Sequence, residues 1–232
     1  MKTLYLVATP IGNIEDMTVR ARRVLAEVDF IACEDTRKTG LFLQRLEIPY
    51  KETISYFEEN EEKRIPEIIN LLKSGKDVAL VSNAGTPTIS DPGFKLVREC
   101  QKLGIKVIAI PGASALLMAL VSSGLPTDKF LFLGFLPLKD NKRQKIWEMI
   151  KKSHEFEVDQ TVIFYESPYR LIKTLKNLQN NFGDMEIVIA RELTKVYEEV
   201  RRDSVSKSLE YFQINTPKGE FTVLFNLNGK ER

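Results

Sequence analysis

Residues 77–93, DVALVSNAGTPTISDPG, join a predicted strand to a long irregular loop, and this change decides the fold class. The apolar run at 78–81 predicts a strand of a parallel sheet, because helices cover both faces of such strands. The prolines and glycines that follow exclude a continued strand or a helix. The sequence therefore predicts a loop of small residues directly after a buried strand.

The residues beyond this loop continue the pattern. Apolar positions from Phe94 to Leu103 lie on roughly one helical face, and residues 107–110 predict another strand. Ligands of open parallel sheets bind beyond the carboxyl ends of the strands, so we expect a binding site at the loop. The alternative is a purely structural connection, although such a connection needs only about 2–6 residues.

Strand and helix patterns alternate along the rest of the chain, which predicts an α/β fold with two α/β domains. Turn residues cluster at 122–128 and predict a boundary after Gly124. We expect an N-terminal domain over 1–124 with a parallel sheet, and a C-terminal domain over 125–232 with a mixed sheet. The second sheet is expected to be mixed because no helix separates the strand patterns at 187–190 and 197–202. A ligand cleft between the domains is the further expectation.

Composition excludes several classes of protein. The 232 residues carry 34 lysines and arginines against 32 acidic residues, and a net charge of +2 does not by itself indicate nucleic-acid binding. Cys33 and Cys100 lack the spacing of a disulfide framework or a zinc site, so we expect no metal. His154, the only histidine, lies in a polar stretch and is expected at the surface. The N-terminal apolar run is too short for a signal peptide, and no stretch reaches membrane-spanning length, which predicts a cytoplasmic protein.

The common nucleotide-binding and hydrolase signatures are absent, including GxGxxG, GxxxxGK[ST], HExxH and GxSxG. Three loops of small residues remain at strand ends: TPIGN at 9–13, SNAGTPTISDPG at 82–93 and PGAS at 111–114. Their backbone N–H groups suit a carboxylate and their carbonyls suit a cation, and the helix after the third loop adds free N–H groups. S-adenosylmethionine combines an adenosine, a carboxylate and a cation, although spacing alone does not identify it.

Eight longer stretches carry a resemblance to a known family: LYLVATPIGN at 4–13, FIACEDTRKTG at 30–40, VALVSNAGTPTISDPG at 78–93, IPGASA at 110–115, SGLPTDKFLFLGFLP at 123–137, VIFYESPYRL at 162–171, IVIARELTKVYEE at 187–199 and PKGEFTVL at 217–224. In this order they resemble the ribosomal RNA small-subunit methyltransferase I family of the tetrapyrrole methylase superfamily. The resemblance implies methyl transfer from S-adenosylmethionine to the ribose 2′-hydroxyl of a cytidine in the decoding region of small-subunit rRNA. It also implies two α/β domains with the donor between them, a homodimer, and naked rRNA or the assembled small subunit as substrate.

The resemblance assigns the methyl donor to residues of both predicted domains. In the first they are Pro10, Gly12, Asn13, Asn83, Ala84, Gly85, Thr86, Pro87, Asp91, Ser114 and Ala115; in the second, Glu166, Ala190, Pro217 and Gly219. Two departures stand out. Asn83 replaces the aspartate usual in the family, which removes a negative charge near the expected sulfonium. Many relatives also carry a further small C-terminal segment, which bears on RNA affinity and on the choice of site.

The side chains we expect in catalysis lie in two polar stretches: Glu34, Asp35 and Arg37 in the first, and Glu192 and Lys195 in the second. A ribose hydroxyl is a weak nucleophile unless its proton is withdrawn as the new bond forms. We therefore expect Glu34 or Asp35 to order the acceptor ribose or to accept its proton. The alternatives are a helix cap with a surface ion pair for the first stretch and an edge-strand charge ladder for the second.

RNA contact is predicted for basic and aromatic side chains of the second half. They are Lys139, Lys142, Arg143, Lys145, Lys151, Lys152, Arg201 and Arg202, with Trp147 and Tyr169 as candidates for stacking on bases. A solvated helix face and a packed tryptophan are the simpler interpretations. Two other functions stay open: methylation of a tetrapyrrole or another small molecule, and a non-catalytic adaptor that binds S-adenosylmethionine or RNA.

Overall fold

A computed structural model describes residues 2–156 and 158–227 of the chain. By internal contacts the chain divides into two compact units, Met1–Ser114 and Ala115–Arg232. The division lies before the boundary predicted after Gly124, because the intervening helix, α5 (Ala115–Ser122), packs on strands of the second unit.

The first unit is built on a five-stranded parallel sheet. The strands are β1 (Thr3–Val7), β2 (Phe30–Cys33), β3 (Glu52–Ser55), β4 (Val78–Val81) and β5 (Lys106–Ile110), in the spatial order β3-β2-β4-β1-β5. All four neighbouring pairs are parallel. The carboxyl ends of the five strands therefore lie at one edge of the sheet, as the sequence predicts.

Four helices cover the two faces of this sheet. They are α1 (Val19–Glu27), α2 (Thr36–Arg45), α3 (Glu61–Lys73) and α4 (Phe94–Lys102). Thr18 caps α1, because its hydroxyl accepts a hydrogen bond from the backbone N–H of Ala21. One apolar core lies under α1 and α2, and a second lies under α3 and α4. Burial on both faces explains why Val78–Val81 is an unbroken apolar run.

The second unit contains a mixed five-stranded sheet in the order β6-β7-β10-β8-β9. Its strands are β6 (Phe130–Phe135), β7 (Thr161–Glu166), β8 (Glu186–Arg191), β9 (Glu199–Ser204) and β10 (Phe221–Phe225), and its later helices are α6 (Asp140–Glu155), α7 (Leu171–Phe182) and α8 (Val205–Ile214). Strands β6 and β7 are parallel, whereas β10 is antiparallel to β7 and β8, and β9 is antiparallel to β8. The predicted mixed sheet is confirmed, and Trp147 lies in its core.

The predicted elements agree with the structure in type and order. A turn precedes α7, in which the backbone N–H groups of Arg170 and Leu171 both donate to the carbonyl of Ser167. Within the described residues, no helix has the length and apolar character needed to cross a membrane.

Candidate functional site

Three loops meet at the carboxyl edge of the first sheet. Thr9 and Gly85 exchange two backbone hydrogen bonds of 2.9 Å, which join the loops after β1 and β4. The hydroxyl of Thr86 donates to the carbonyl of Ala113 at 3.1 Å and so joins the loop after β5. The donor residues predicted in this unit lie in these three loops; they are Pro10, Gly12, Asn13, Asn83, Ala84, Gly85, Thr86, Pro87, Asp91 and Ser114.

Close backbone contacts and unusual dihedral angles mark this edge. A Cβ at Gly112 would lie 2.9 Å from the Cβ of Ala8, so only glycine allows the loops after β1 and β5 to approach this closely. Thr88 and Ser90 have φ angles of 74° and 61°, in the left-handed region that non-glycine residues rarely adopt. Such strain persists only where surrounding contacts impose it, and it is concentrated at binding sites.

Glu34 and Asn83 form a two-point contact at the centre of this edge. The backbone N–H of Asn83 donates to Oε1 of Glu34 and its side-chain amide donates to Oε2, both at 3.2 Å. An aspartate at position 83 could make only the backbone bond, because an ionised carboxylate has no proton to donate. Asparagine at position 83 therefore makes one more hydrogen bond to Glu34 than aspartate could.

Asp91 lies near the same contact. Burial raises the pKa of Asp91 to about 6, the negative charge of Glu34 raises it as well, and the hydrogen bond with Ser82 opposes both effects. Because a neighbouring positive charge would stabilise its ionised form, this carboxyl is suited to a cationic ligand group.

Asp35 caps helix α2, which is the alternative to a catalytic role given for it in the sequence analysis. Its Oδ1 accepts from the backbone N–H groups of Arg37 at 2.9 Å and Lys38 at 3.1 Å, at the start of α2. The bond from Lys38 is the larger cause of a pKa below the usual aspartate value. A carboxylate stabilised in this way is a weak base, and Glu34 is the stronger candidate of the two. Arg37 is exposed on the first turn of α2.

A pocket of about 360 Å³ opens between these loops and α2. Its only charged lining side chains are those of Lys38 and Arg45, which form no ion pair with any described residue. Leu41, Phe42 and Ile14 supply apolar surface. The remaining lining residues are Thr9, Pro10, Ile11, Gly12, Thr39, Val81, Ser82, Asn83 and Ala84. A nucleoside-sized pocket with two cations and apolar walls suits an anionic nucleotide.

A buried carboxylate fixes the far end of the loop after β4. Oε1 of Glu61 accepts from the backbone N–H of Gly93 and from the hydroxyl of Tyr56, each at 2.8 Å, and Lys95 lies 3.5 Å from its other oxygen. Glu61 and Tyr56 were missed by sequence reasoning. A glutamate at the start of a helix is common because of the helix dipole, so nothing local distinguishes one that supports a loop.

The predicted residues of the second unit lie at one edge of its own sheet. Register pairs Phe221 with both Glu166 and Arg191, so the ends of β7 and β8 and the start of β10 lie at the same edge. Lys195 Nζ contacts Glu192 at 2.9 Å and Glu220 at 2.8 Å. A Cβ at Gly219 would lie only 2.3 Å from Oε1 of Glu192, so a side chain at this position would displace the carboxylate.

Charge and strain at this edge distinguish it from a simple ladder. Burial of Glu192 raises its pKa, but the bonds from Lys195 and from the backbone N–H of Glu220 outweigh that effect and lower the pKa overall. Burial of Lys195 lowers its pKa, but its bonds to Glu220 and Glu192 raise the pKa overall. Glu192 and Thr194 adopt φ angles of 51° and 64°. Lys195 therefore stays protonated at neutral pH, in a strained turn.

The remaining predicted donor residues differ in accessibility. Glu166 is buried, and its carboxylate accepts from the backbone N–H of Ser167 at 2.8 Å and the hydroxyl of Thr174 at 2.6 Å, with Arg170 at 3.2 Å. These bonds support a structural role. Ala190 is buried within β8, whereas Pro217 is half-buried before β10 and Ala115 begins α5. Donor binding by these residues stays a prediction.

The predicted RNA helix needs two corrections. Trp147 is fully buried, with its ring against Phe164, Phe182 and Phe225 and its Nε1 donating to Asn177. Arg143 is buried and bonded to Asp140. Stacking by Trp147 and phosphate contact by Arg143 are therefore wrong, because both side chains point into the core. Lys139, Lys142, Lys145 and Lys152 are exposed.

The groups available to a ligand at the carboxyl edge of the first sheet are loop backbone, small side chains and carboxylates. Within residues 2–156 and 158–227, no three His, Cys, Asp or Glu side chains are grouped as metal ligands.

Comparison with known sequences gives consistent matches along the chain. Residues 3–208 match the sequence family described as Tetrapyrrole (Corrin/Porphyrin) Methylases. A Thermotoga maritima protein named Ribosomal RNA small subunit methyltransferase I is 47% identical over 231 residues, which cover 100% of both chains. Proteins of the same name from Synechocystis sp. and Streptococcus pyogenes are each 48% identical, over 97% and 96% of this chain and 78% and 75% of their own lengths.

Solved structures share the fold at low sequence identity. Diphthine synthase aligns with a TM-score of 0.75 and 15% identity over 97% of this chain and 90% of its own. Uroporphyrin-III C-methyltransferase from Thermus thermophilus, solved with S-adenosylhomocysteine, aligns with a TM-score of 0.64 and 16% identity over 96% of each chain. The chain therefore belongs to the tetrapyrrole (corrin/porphyrin) methylase family, and within it to the ribosomal RNA small subunit methyltransferase I group.

Proposed function

We propose that this protein is an S-adenosylmethionine-dependent methyltransferase that modifies the ribose 2′-hydroxyl of a cytidine in the decoding region of small-subunit rRNA. The observation that carries the proposal is similarity at 47% identity, over 100% of both chains, to a protein named as a ribosomal RNA small subunit methyltransferase. The convergence of the three loops supports it, because a donor site needs them at one edge.

The donor site in this proposal uses the joined loops of the first unit. S-adenosylmethionine supplies a methyl group already activated by its sulfonium. Loop N–H groups beside Gly85 and Gly12 suit its carboxylate and its adenosine, since small residues let a ligand approach the backbone. Asp91 suits its cationic groups, because a buried carboxyl with a raised pKa gains from a nearby positive charge. Glu166, Ala190, Pro217 and Gly219 belong to the proposal as donor residues from the second unit.

Glu34 is the proposed base. The two donors of Asn83 orient its carboxylate while leaving lone pairs on each oxygen for a further partner. As the ribose oxygen forms its bond to the methyl carbon, its proton passes to Glu34, and the carbon–sulfur bond breaks with its electron pair on sulfur. The protein contributes mainly alignment and proton acceptance, worth up to several kcal/mol of the barrier.

Glu192 and Lys195 have a supporting role in this proposal. Lys195 is held protonated by Glu192 and Glu220, so it acts as a fixed cation toward a phosphate of the acceptor and not as a base. Glu192 positions it. The two cations that line the pocket, Lys38 and Arg45, are the corresponding phosphate contacts in the first unit.

The proposal also includes a homodimer in the cytoplasm, where small ribosomal subunits are the available acceptor. Sedimentation velocity of the purified chain at several concentrations measures the dimer directly, and a single species at the monomer mass would contradict it.

The deciding experiment is transfer of labelled methyl from S-adenosylmethionine to small ribosomal subunits that lack the modification, with naked rRNA in parallel and the labelled nucleotide mapped. We expect label on one cytidine ribose of the decoding region. Label on a small molecule only, or donor binding by calorimetry without transfer to any RNA, would replace the proposal with one of the other two functions.

Glu34→Gln tests the base in the same assay. We expect turnover to fall about 10²- to 10⁴-fold with donor affinity nearly unchanged, because general-base catalysis has this magnitude. Glu27→Gln is the matched control, since Glu27 is an exposed glutamate of the first unit that pairs with Arg23. Full turnover in Glu34→Gln would remove the assignment.

A further inference from the structure

Two segments of the second unit leave its sheet side by side. Strands β6 and β7 are parallel, so the segments that follow them, residues 136–138 and 167–170, lie at the same edge. Arg170 joins the two segments, because its Nη2 donates to the carbonyl of Leu136 at 2.6 Å. A second link joins the helices that follow, since Lys173 of α7 lies 3.5 Å from Asp140 of α6. These segments and the first turns of both helices form one continuous surface.

The turn after β7 displays Tyr169 in a fixed position. Glu166, buried at the end of β7, accepts from the N–H of Ser167 and contacts Arg170. Pro168 further restricts the backbone between these two contacts. Tyr169 is nevertheless 98% exposed. A large aromatic ring held outward in this way adds nothing to the core, so folding does not explain it.

The surroundings of Tyr169 combine apolar surface with positive charge. Leu138 is exposed on the neighbouring segment and Phe135 at the end of β6. Lys139, Lys142 and Lys173 are exposed around them. The one carboxylate among these residues, Asp140, is already bonded to Arg143 and Lys173. The surface therefore has a net positive charge beside an aromatic ring.

From this combination we propose that residues 135–142 and 167–173 form a docking surface for an unpaired segment of the acceptor RNA, with a base stacked on Tyr169 and phosphates on Lys139 and Lys142. Unpaired nucleotides expose both a π-face and a phosphate, which match the ring and the lysines. A protein partner would not require the excess of lysine. The inference rests on the proposed function, because it takes the acceptor to be RNA.

The test measures binding of a fluorescent single-stranded oligoribonucleotide, and KM for small subunits, in the full-length protein. Tyr169→Ala is expected to raise Kd and KM about 5- to 100-fold, as loss of one stacked base does. Tyr169→Phe should keep wild-type affinity, because it keeps the ring. Tyr50→Ala is the matched control, since Tyr50 is 90% exposed in the first unit. Lys139→Ala with Lys142→Ala should lower the slope of log Kd against log salt by about 1.4.

The outcomes separate this inference from the proposed function. If the wild-type protein fails to methylate RNA, the proposed function is wrong. The oligonucleotide Kd of Tyr169→Ala against that of Tyr50→Ala then still decides whether the surface binds RNA. If wild type is active and Tyr169→Ala binds and methylates as well as Tyr50→Ala, the inference is overturned. It is also overturned if sedimentation shows that Tyr169→Ala changes only the association of the chain with itself. Donor affinity by calorimetry should stay unchanged in all variants.

Discussion

The contact between Glu34 and Asn83 shows how one residue difference changes the chemistry of a site. Both carboxylate oxygens of Glu34 accept from Asn83, at 3.2 Å each. An aspartate at position 83 would instead place two carboxylates face to face, with Asp91 nearby. With a neutral amide at position 83, Glu34 faces two hydrogen-bond donors and no second carboxylate at that position.

Asn83→Asp is predicted to make stability depend more strongly on pH. The new carboxylate beside Glu34 raises the pKa of the pair in the folded state. Its penalty is therefore absent below the pKa of the unfolded chain, near 4, and develops as the pH rises through the folded pKa. We expect a loss of about 1 kcal/mol at pH 8, because the pair is exposed. Urea unfolding at pH 5 and pH 8 measures it, with Asn83→Ala as control for loss of the amide. Equal losses for both variants at pH 8 would contradict the argument.

Asp91 gives a prediction of its own. Burial and Glu34 raise its folded pKa to about 6. Because this value lies above the unfolded pKa, the protein gains stability from Asp91 at low pH and loses it as the pH rises through about 6. Asp91→Asn should flatten the fall in stability between pH 5 and pH 7. Carbon-13 NMR titration of the side-chain carboxyl measures the pKa directly, and a midpoint near 4 would refute the assignment.

At the scale of elements, the loop after β4 is fixed at both ends. Its start is held by the Thr9–Gly85 bridge and its end by Glu61, whose carboxylate reaches Gly93 and Tyr56. The loop thus keeps its strained residues in place without regular secondary structure. Binding loops on rigid supports lose less entropy when a ligand binds.

Glu61→Ala is predicted to destabilise the protein by about 2–4 kcal/mol, since it leaves the buried Tyr56 hydroxyl and the Gly93 N–H without their acceptor. Donor affinity should fall as well, because the end of the loop is released. Thermal unfolding and calorimetry measure the two effects. Glu62→Ala, at the exposed neighbouring position, is the control. Unchanged donor affinity in a destabilised Glu61→Ala protein would show that the anchor serves stability alone.

Gly219→Ala is predicted to reduce methyl transfer by displacing the Glu192 carboxylate, which a new Cβ would meet at 2.3 Å. Gly183→Ala separates this effect from backbone strain. Gly183 also has a positive φ, of 78°, but a Cβ there meets nothing within 4 Å. We expect both variants to lose about 1 kcal/mol of stability and only Gly219→Ala to lose activity. Equal activity in both would remove Glu192 from the proposed function.

At the scale of the whole molecule, the two units have separate apolar cores. The cores of the first unit lie around β1 to β5, and the core of the second contains Trp147, the only tryptophan of the chain. Tryptophan fluorescence therefore reports on one unit, while far-ultraviolet circular dichroism reports on both.

Leu25→Ala should lower the stability of the first unit by about 2–5 kcal/mol, because Leu25 lies fully buried on the inner face of α1. In urea, we expect the circular dichroism transition to begin earlier while the fluorescence transition keeps its midpoint. Leu175→Ala, fully buried in the second core, should shift the fluorescence transition. Coincident shifts of both signals in Leu25→Ala would show that the units unfold as one.

The sequence by itself determined the order and type of the elements and the family. Strand and helix periodicity, turn residues and caps such as Thr18 act over a few neighbouring positions, so they can be read without knowledge of the fold. For the same reason, the small-residue loops were correctly predicted to follow the carboxyl ends of strands in the first sheet. The sequence did not decide whether Asp35 is a catalytic base or a helix cap, because both roles use the same residue types after a strand.

Only the tertiary structure decided which side chains meet. Glu34 and Asn83 are joined because β2 and β4 are neighbours in the sheet. Glu61, at the start of α3, bonds to Gly93, directly before α4. The sequence predicted RNA contact by Arg143 and Trp147. The structure buries both, because they lie on the inward-facing side of α6. Strand order and helix rotation follow from long-range packing, which a local pattern cannot specify.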